Sequence, residues 1–402
     1  MSSLIKKHLF VYDKKWKSIV LLAITAVIIV FSLFCIVSAL IGFTNIIKIP
    51  VIILSLSAIA ITGIIYLLLC KKAKKVLIVI LAVILSLVLA ISGSISILVM
   101  SGKSSLLKNN GIHIIPPDIE AVIDDNGIIT YNNQKYIYNN NLTTILFMGI
   151  DKSDISSTGK NGNNGQADAV YAVTIDTVTG KTTVLCISRE TMTDIQIYSG
   201  EGNYIRTEQA QLCLSYAYGD GKEKSCENCV WSASNILCGV PINTYMAIDF
   251  SAIAVLNDAV GGVEVPEYNS SWTKQTGKTT ILHGQDAYEY VHYRDITKID
   301  SNAYRITRQI DYLKAFSAKA IEKTKKDITT PLNLYNKINK YSVNNLSADR
   351  ITYLTSVFLS GSTEIEFRNI EGEIKDVGEH AGFYPDSEKL YELVLDIFYK
   401  EV

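Results

Sequence analysis

Three arginines crowd the stretch YVHYRDITKIDSNAYRITRQ (290–309): Arg294, Arg305 and Arg308. Arg305 and Arg308 are three apart, so on a helix they share one face. The intervening DITKIDSNAY reads as a loop that can fold Arg294 back towards them. Taken alone, such a group reads first as a solvated helix end. Upstream residues change that reading. Asp151 ends TTILFMGI, a short β-rich apolar run of the kind found in a buried central strand. Beyond a Gly/Asn/Ser loop come AVYAVTID and KTTVLCIS, joined by the hairpin signal TVTG. With the turn centred between Val178 and Thr179, cross-strand partners have numbers that sum to 357, which sets Asp168 opposite Arg189 at the hairpin's open end.

Carboxylates without His or Cys partners suit a hard cation such as Mg²⁺, which keeps waters and shares its shell with phosphate oxygens. Guanidinium forks match phosphate bidentately and keep their charge at any physiological pH. Together they can stabilise charge on a transferring phosphoryl group. Singly, each residue also has a plain explanation: Asp168–Arg189 as a cross-strand ion pair, Asp151 as a turn residue.

The elements that must position these groups follow from patterning. Three apolar runs, Ser18 to Phe43, Ile46 to Cys70 and Val76 to Met100, each exceed the ~20 residues a helix needs to cross a bilayer. They lack a polar stripe, and their only interior charge is Lys48. Lysines before the first run and the KKAKK stretch between the second and third place both segments in the cytoplasm. Everything after Met100 then lies outside. The VSA at Val37 to Ala39 loosely resembles a signal-peptide cleavage site, but the run's length and the runs that follow favour a span. Expected boundaries are 1–17 cytoplasmic, 18–100 spanning, 101–140 an extracytoplasmic stalk with a small hairpin, and 141–402 one large domain. Within it QAQLCLSYAYG, CVWSASNILCG, FSAIAVLNDAVGG, GQDAYEYVHYR and AYRITRQIDYLKAFSAKAIEKT read as helices, and GVEVPE as a strand. Strands and helices interleave, so the expected class is α/β, a layered α/β/α domain with a central mixed sheet behind three transmembrane helices.

A formal net charge of −1 over 402 residues gives no basic bias towards nucleic acid. Seven cysteines are present, five of them after the apolar runs. The CENC stretch (Cys226 to Cys229) has no second CxxC or His pair to complete a zinc site. A local disulfide, a Cys213–Cys238 disulfide and free thiols all stay open.

The motifs ILFMGIDKSD, ADAVYAVTIDTVTGKTTVLCISRET, LSYAYGDG, LNDAVGGVEV and LHGQDAYEYVHYRD…RITRQ together resemble the LytR–CpsA–Psr family of bacterial cell-envelope proteins over roughly residues 141–320. The resemblance implies a phosphotransferase that moves a glycopolymer, teichoic acid or capsule, from an undecaprenyl pyrophosphate carrier onto peptidoglycan. It implies Mg²⁺ or Mn²⁺ at Asp151 and Asp168, catalytic roles for Arg189 and Asp151, and pyrophosphate contacts from Arg189, Arg294, Arg305, Arg308 and Gln309. It also implies an apolar tunnel for the lipid tail. His292, Ser153 and Gln166 stand where the family usually has Arg, and Glu190 where it usually has Asp, so the site carries less positive charge. Lys152 is one substitute. His292 reads either as a phosphate contact or as a helix-surface residue. A different class is an envelope protein that binds or senses a polyprenyl pyrophosphate precursor without catalysis. Transcriptional control is disfavoured, because no basic recognition helix is present.

Overall fold

The computed structural model describes Ser32 and residues 55–62, 75–107, 113–157, 159, 162–199, 201–294, 301–362, 364–378 and 380–402. The chain divides into two compact units, Met1–Gly102 and Lys103–Val402. The first two expected spans lie largely outside the described residues. The third falls in helix α1 (Lys75–Leu106), whose side chains are described only in part. Among the described residues no helix is long and apolar enough to cross a membrane, so the spans rest on the sequence.

The segment expected to be a stalk is folded into the second unit. Strands β1 (Ala121–Ile123), β2 (Ile129–Tyr131) and β3 (Gln134–Tyr138) form a four-stranded sheet with β16 (Tyr399–Glu401), from the far end of the sequence. Ile129 and Tyr131 are buried in the main core, which is why the segment does not stand free. His113 cements the joint: Nε2 meets Tyr391 Oη at 3.1 Å, and Nδ1 bonds Tyr399 Oη.

TTILFMGI forms β4 (Leu142–Ile150) at the centre of a six-stranded mixed sheet, order β12–β9–β4–β5–β6–β13. Its other members are β5 (Ala167–Asp176), β6 (Thr182–Ile187), β9 (Thr244–Ile248), β12 (Ser342–Asn344) and β13 (Ile365–Asn369). β9 runs parallel to β4 and β13 parallel to β6. The β5–β6 hairpin has the register expected from its turn, with Ile175 opposite Thr182 and Val170 opposite Ile187.

Alternation along β4 separates two layers. Leu146, Met148 and Ile150 enter a core shared with α3 (Glu223–Ile236) and α9 (Ser387–Phe398). Phe147 and Gly149 face the opposite way, towards α4 (Phe250–Val260), α6 (Ser301–Lys326) and α7 (Thr330–Ile338). That second layer leaves a cavity of about 490 Å³. The α4 helix begins at Asp249, whose carboxylate accepts from Ser251 N (2.9 Å) and Ala252 N (3.3 Å), and ends at Gly261 with φ 92°.

One expected helix is corrected. QAQLCLSYAYG is helical only at α2 (Leu214–Ala217); its first residues belong to β8 (Tyr204–Gln211), which pairs with β7 (Met192–Tyr198). Pairing with β7 satisfies a backbone whose local propensity alone favoured helix. The five described cysteines are free. Cys226 and Cys229 are buried core residues of α3, where burial pushes both thiols up.

Burial lowers the His113 pKa from 6.5 to about 4. The unfolded chain therefore takes up this proton at a higher pH than the folded one. Stability is retained above pH 6.5 and lost as pH falls towards 4. Thermal melts should show a loss on the order of 1–2 kcal/mol across that window after allowing for solvent screening, and His113→Gln should flatten it.

Candidate active site

The site begins with a fault in the sheet. Gly149 pairs with Ala169, but Ile150 pairs with Ala167, so Asp168 is an extra residue in β5. A bulge of this kind re-aims a side chain at a strand end. Asp151 follows immediately, with its N–H donated to Gln166 O at 3.0 Å. Gly165 makes the approach feasible. It has φ +86°, and a Cβ there would lie 2.7 Å from Lys152 Cγ and 2.9 Å from Ile150 Cγ2.

Asp168 holds two arginines. One carboxylate oxygen accepts from Arg189 Nη1, and the other accepts from Arg305 Nη1 at 3.3 Å. Arg189 also donates to Gln166 Oε1, and its Nη2 donates to Cys213 Sγ at 3.3 Å. The Cys213 backbone ties the same corner together: its N–H donates to Arg189 O at 3.0 Å, and its carbonyl accepts from Ala167 N at 3.1 Å. Arg305, 4% exposed, is pushed down in pKa by burial but stays a cation. Partial burial, then the Asp168 charge, raise the Asp151 carboxyl, and Arg189 opposes them. Arg189 and Arg305 thus share the Asp168 carboxylate, and the Arg294 charge lies close enough to push the Arg305 pKa down further. Among the described residues, the buried Nε of Arg189 and that of Arg294 have no hydrogen-bond partner. A buried donor left without an acceptor is costly, and an anion would satisfy both.

Other residues singled out by sequence are held differently. Arg308, 1% exposed, spends its fork on main chain: Nε donates to Tyr290 O (2.9 Å), Nη1 to Trp272 O (2.8 Å) and Nη2 to Tyr293 O. Its guanidinium lies over the Trp272 ring at 5.2 Å. It positions the backbone that carries Arg294. Gln309 accepts from Tyr171 Oη at 2.9 Å and donates to Val291 O at 3.1 Å, where it lines the cavity. The Lys152 ammonium donates to Ser157 O, and partial burial pulls its pKa down. The His292 ring stacks on Tyr288, with centroids 4.7 Å apart. Burial lowers its pKa, and Arg305 lowers it further against Asp168, so it is neutral near pH 7. The Arg189–Cys213 contact had no signal in the sequence, because it depends on the β7–β8 arm returning to its root. The same holds for Phe250 beside Lys152, whose carbonyl accepts from Phe250 N at 3.2 Å.

The cavity lies against the same end of the sheet. Its walls include Gly149, Ala169, Tyr171, Val184, Leu313 and Phe316, and they are almost wholly apolar. Protein interiors are otherwise close-packed, so a space this size beside a cationic cluster is a candidate binding site. Among the described residues no group of three or more His, Cys, Asp or Glu could enclose a metal ion. Two oxygen-only carboxylates nevertheless fit Mg²⁺, which fills its shell with water and ligand phosphate.

The α/β domain thus carries an arginine- and carboxylate-bearing rim beside an apolar cavity. The chain matches the LytR_cpsA_psr family model over residues 120–394 and belongs to that family. It is 29% identical over 157 residues to the Enterococcus faecalis polyisoprenyl-teichoic acid–peptidoglycan teichoic acid transferase TagU, covering 38% of this chain and 45% of that protein. It is 25% identical over 240 residues to an uncharacterized Staphylococcus aureus protein, covering 57% of this chain and 55% of the other. The chain thus spans about half the length of these curated relatives. Among solved structures, the Streptococcus agalactiae protein gbs0355 superposes with a TM-score of 0.51 at 19% identity, over 64% of this chain and 86% of that one. A structure titled "TagT bound to LI-WTA" has a TM-score of 0.48 at 19% identity, over 64% of this chain and 89% of that one.

Arg308→Ala should cost about 3–5 kcal/mol in urea unfolding, because it strands three carbonyls and removes a buried fork. Arg308→Lys should recover only part of that loss, since one ammonium cannot span the three acceptors.

Proposed function

We propose that this protein transfers a glycopolymer from a polyprenyl pyrophosphate carrier to peptidoglycan, forming a phosphodiester, at the outer face of the membrane in which its three apolar runs are embedded. The observation that carries this is an apolar cavity at the sheet end that also bears buried arginine Nε atoms, those of Arg189 and Arg294, without an acceptor among the described residues. A lipid pyrophosphate answers both at once. Its tail takes the cavity, and its phosphate oxygens take the arginine donors. The name of the relative TagU supports the polymer and the acceptor.

In this mechanism Arg189, Arg294 and Arg305 bind the pyrophosphate and stabilise charge that builds on the leaving phosphate. Asp168 holds Arg189 and Arg305 in register. Asp151 and Asp168 would hold Mg²⁺ or Mn²⁺, which supplies further charge neutralisation at the phosphates. An acceptor hydroxyl oxygen forms a bond to the glycan-bearing phosphorus, and the bond from that phosphorus to the bridging oxygen breaks. Polyprenyl phosphate leaves with the bonding electrons, and the hydroxyl proton passes to solvent. Water is kept from the tail by the apolar walls.

A second reading, a precursor-binding protein without transfer, draws on one observation: Gln166, not a cation, stands against Arg189. Transfer assays with a lipid-pyrophosphate sugar, a peptidoglycan acceptor and Mg²⁺ separate the two. Arg189→Ala and Asp151→Ala should each abolish product. Full activity in both would overturn the site assignment, and tight donor binding by an inactive parent would favour the second reading. Leu313→Trp, which narrows the cavity, should raise KM for the lipid donor about tenfold while leaving inorganic pyrophosphate binding unchanged.

A further inference from the structure

The surface around the end of α6 plays no part in the mechanism above, and its charge is opposite to that of its surroundings. Over residues 103–402 Asp and Glu outnumber Lys and Arg by 38 to 28. The stretch 312–340 reverses that balance, with seven lysines against Glu322 and Asp327. Lys323, Lys325 and Lys326 stand in the last turn of α6, Lys337 in the last turn of α7, and Lys340 just beyond; all five are exposed. Lysines at a helix C-terminus answer the helix dipole, which accounts for their sign. It does not account for the two apolar side chains set in solvent among them, Ile328 at 65% exposure and Leu332 at 36%.

The turn that presents Ile328 is firmly built. Asp327 N donates to Lys323 O at 2.9 Å, and Thr330 N donates to Asp327 O at 3.0 Å. One Asp327 carboxylate oxygen accepts from Thr329 N (2.9 Å) and Thr329 Oγ1 (2.7 Å), so this charge is spent on its own turn. Glu322 pairs with Lys326 at 2.6 Å and with Lys319 at 3.9 Å, contacts that are weak at such exposure. The inner sides of the same two helices line the apolar cavity, through Ser317 on α6 and Pro331 and Leu334 on α7. Val291 of α5 (Gln285–His292) and Ile351 of α8 (Ala348–Ser360) line it from the same layer.

We propose that the end of α6, the turn 327–329 and the start of α7 form a docking face for an anionic phospholipid bilayer. Ile328 and Leu332 enter the headgroup layer, and Lys323, Lys325, Lys326 and Lys337 answer its negative charge. Composition separates this face from a protein interface. Such interfaces are enriched in Arg, Tyr and Trp and depleted in Lys. The exposed residues of 322–340 include no arginine and no aromatic side chain. Flexible ammonium groups that fix no geometry suit a diffuse layer of headgroups, whose pull falls away within a Debye length. The contact sets the α7 wall of the cavity against a bilayer surface, whether or not the protein transfers a polymer.

The test uses the full-length protein reconstituted in vesicles of phosphatidylglycerol or of phosphatidylcholine, each with or without bromine on the acyl chains. Ile328→Trp adds one indole to Trp16, Trp231 and Trp272, and the parent's emission is subtracted. In brominated phosphatidylglycerol the added emission should fall about twofold, because bromine quenches an indole that reaches the acyl chains. In brominated phosphatidylcholine, or in about 1 M salt, that quenching should be largely lost. Lys325→Glu together with Lys326→Glu should remove it as well, while binding of short-chain polyprenyl pyrophosphate in detergent stays unchanged. Leu332→Trp repeats the measurement at a neighbouring exposed position if Ile328→Trp fails to fold. Added emission that bromine leaves untouched in both lipids would overturn the docking face. Emission that responds to protein density in the vesicles and not to bromine would assign the face to a second copy of the chain and overturn it too. Equal quenching in both lipids that survives the charge reversal would overturn the choice of an anionic surface.

Discussion

The site depends on one carboxylate. Asp168 is the residue by which β5 exceeds its partner, and it joins Arg189 beyond the end of β6 to Arg305 on α6. Without it, two largely buried guanidinium groups would face each other with no charge between them, which buried arginines tolerate poorly. With it, three segments distant in sequence are locked into one rim. Its charge also bears on Asp151 and His292, the first raised and the second held up against Arg305. Asp168 is therefore the ion around which the rim is built.

The two layers flanking the sheet are unequal, and the inequality serves the site. One is filled by Cys226, Cys229, Ala233 and the residues of α9. The other holds its helices off the sheet around a cavity of about 490 Å³. Small residues at Gly149 and Ala169 keep that space next to the arginines, and a Cβ at Gly149 would lie 3.3 Å from Ala169 Cβ. The wall forgoes packing that a filled core would have.

Much of this is legible in the sequence. The TVTG turn gave the β5–β6 register because a two-residue offset is set by local geometry, and that register brought Asp168 and Arg189 together. The spacing of Arg305 and Arg308 was equally readable, but their roles were not. A helical period places both on one face and cannot say that Arg308 is consumed by three main-chain carbonyls. The β8 strand was missed because its hydrogen bonds come from β7 and not from its own residues. The hairpin expected in the stalk segment is present as β2–β3, but Tyr399–Glu401, far along the chain, completes its sheet, which no local signal reveals. Local chemistry carried over well; long-range pairing did not.

That last pairing has a consequence for how the molecule is made. β3 lies between β2 and β16, yet β16 is synthesised after every strand of the central sheet. The edge of β3 therefore stays open until β16 has been made. His113 likewise waits for Tyr391 and Tyr399 before its ring is covered. The four-stranded sheet can close only once translation has run through residue 401, so a premature stop shortly before it leaves the arginine rim on an unlatched body.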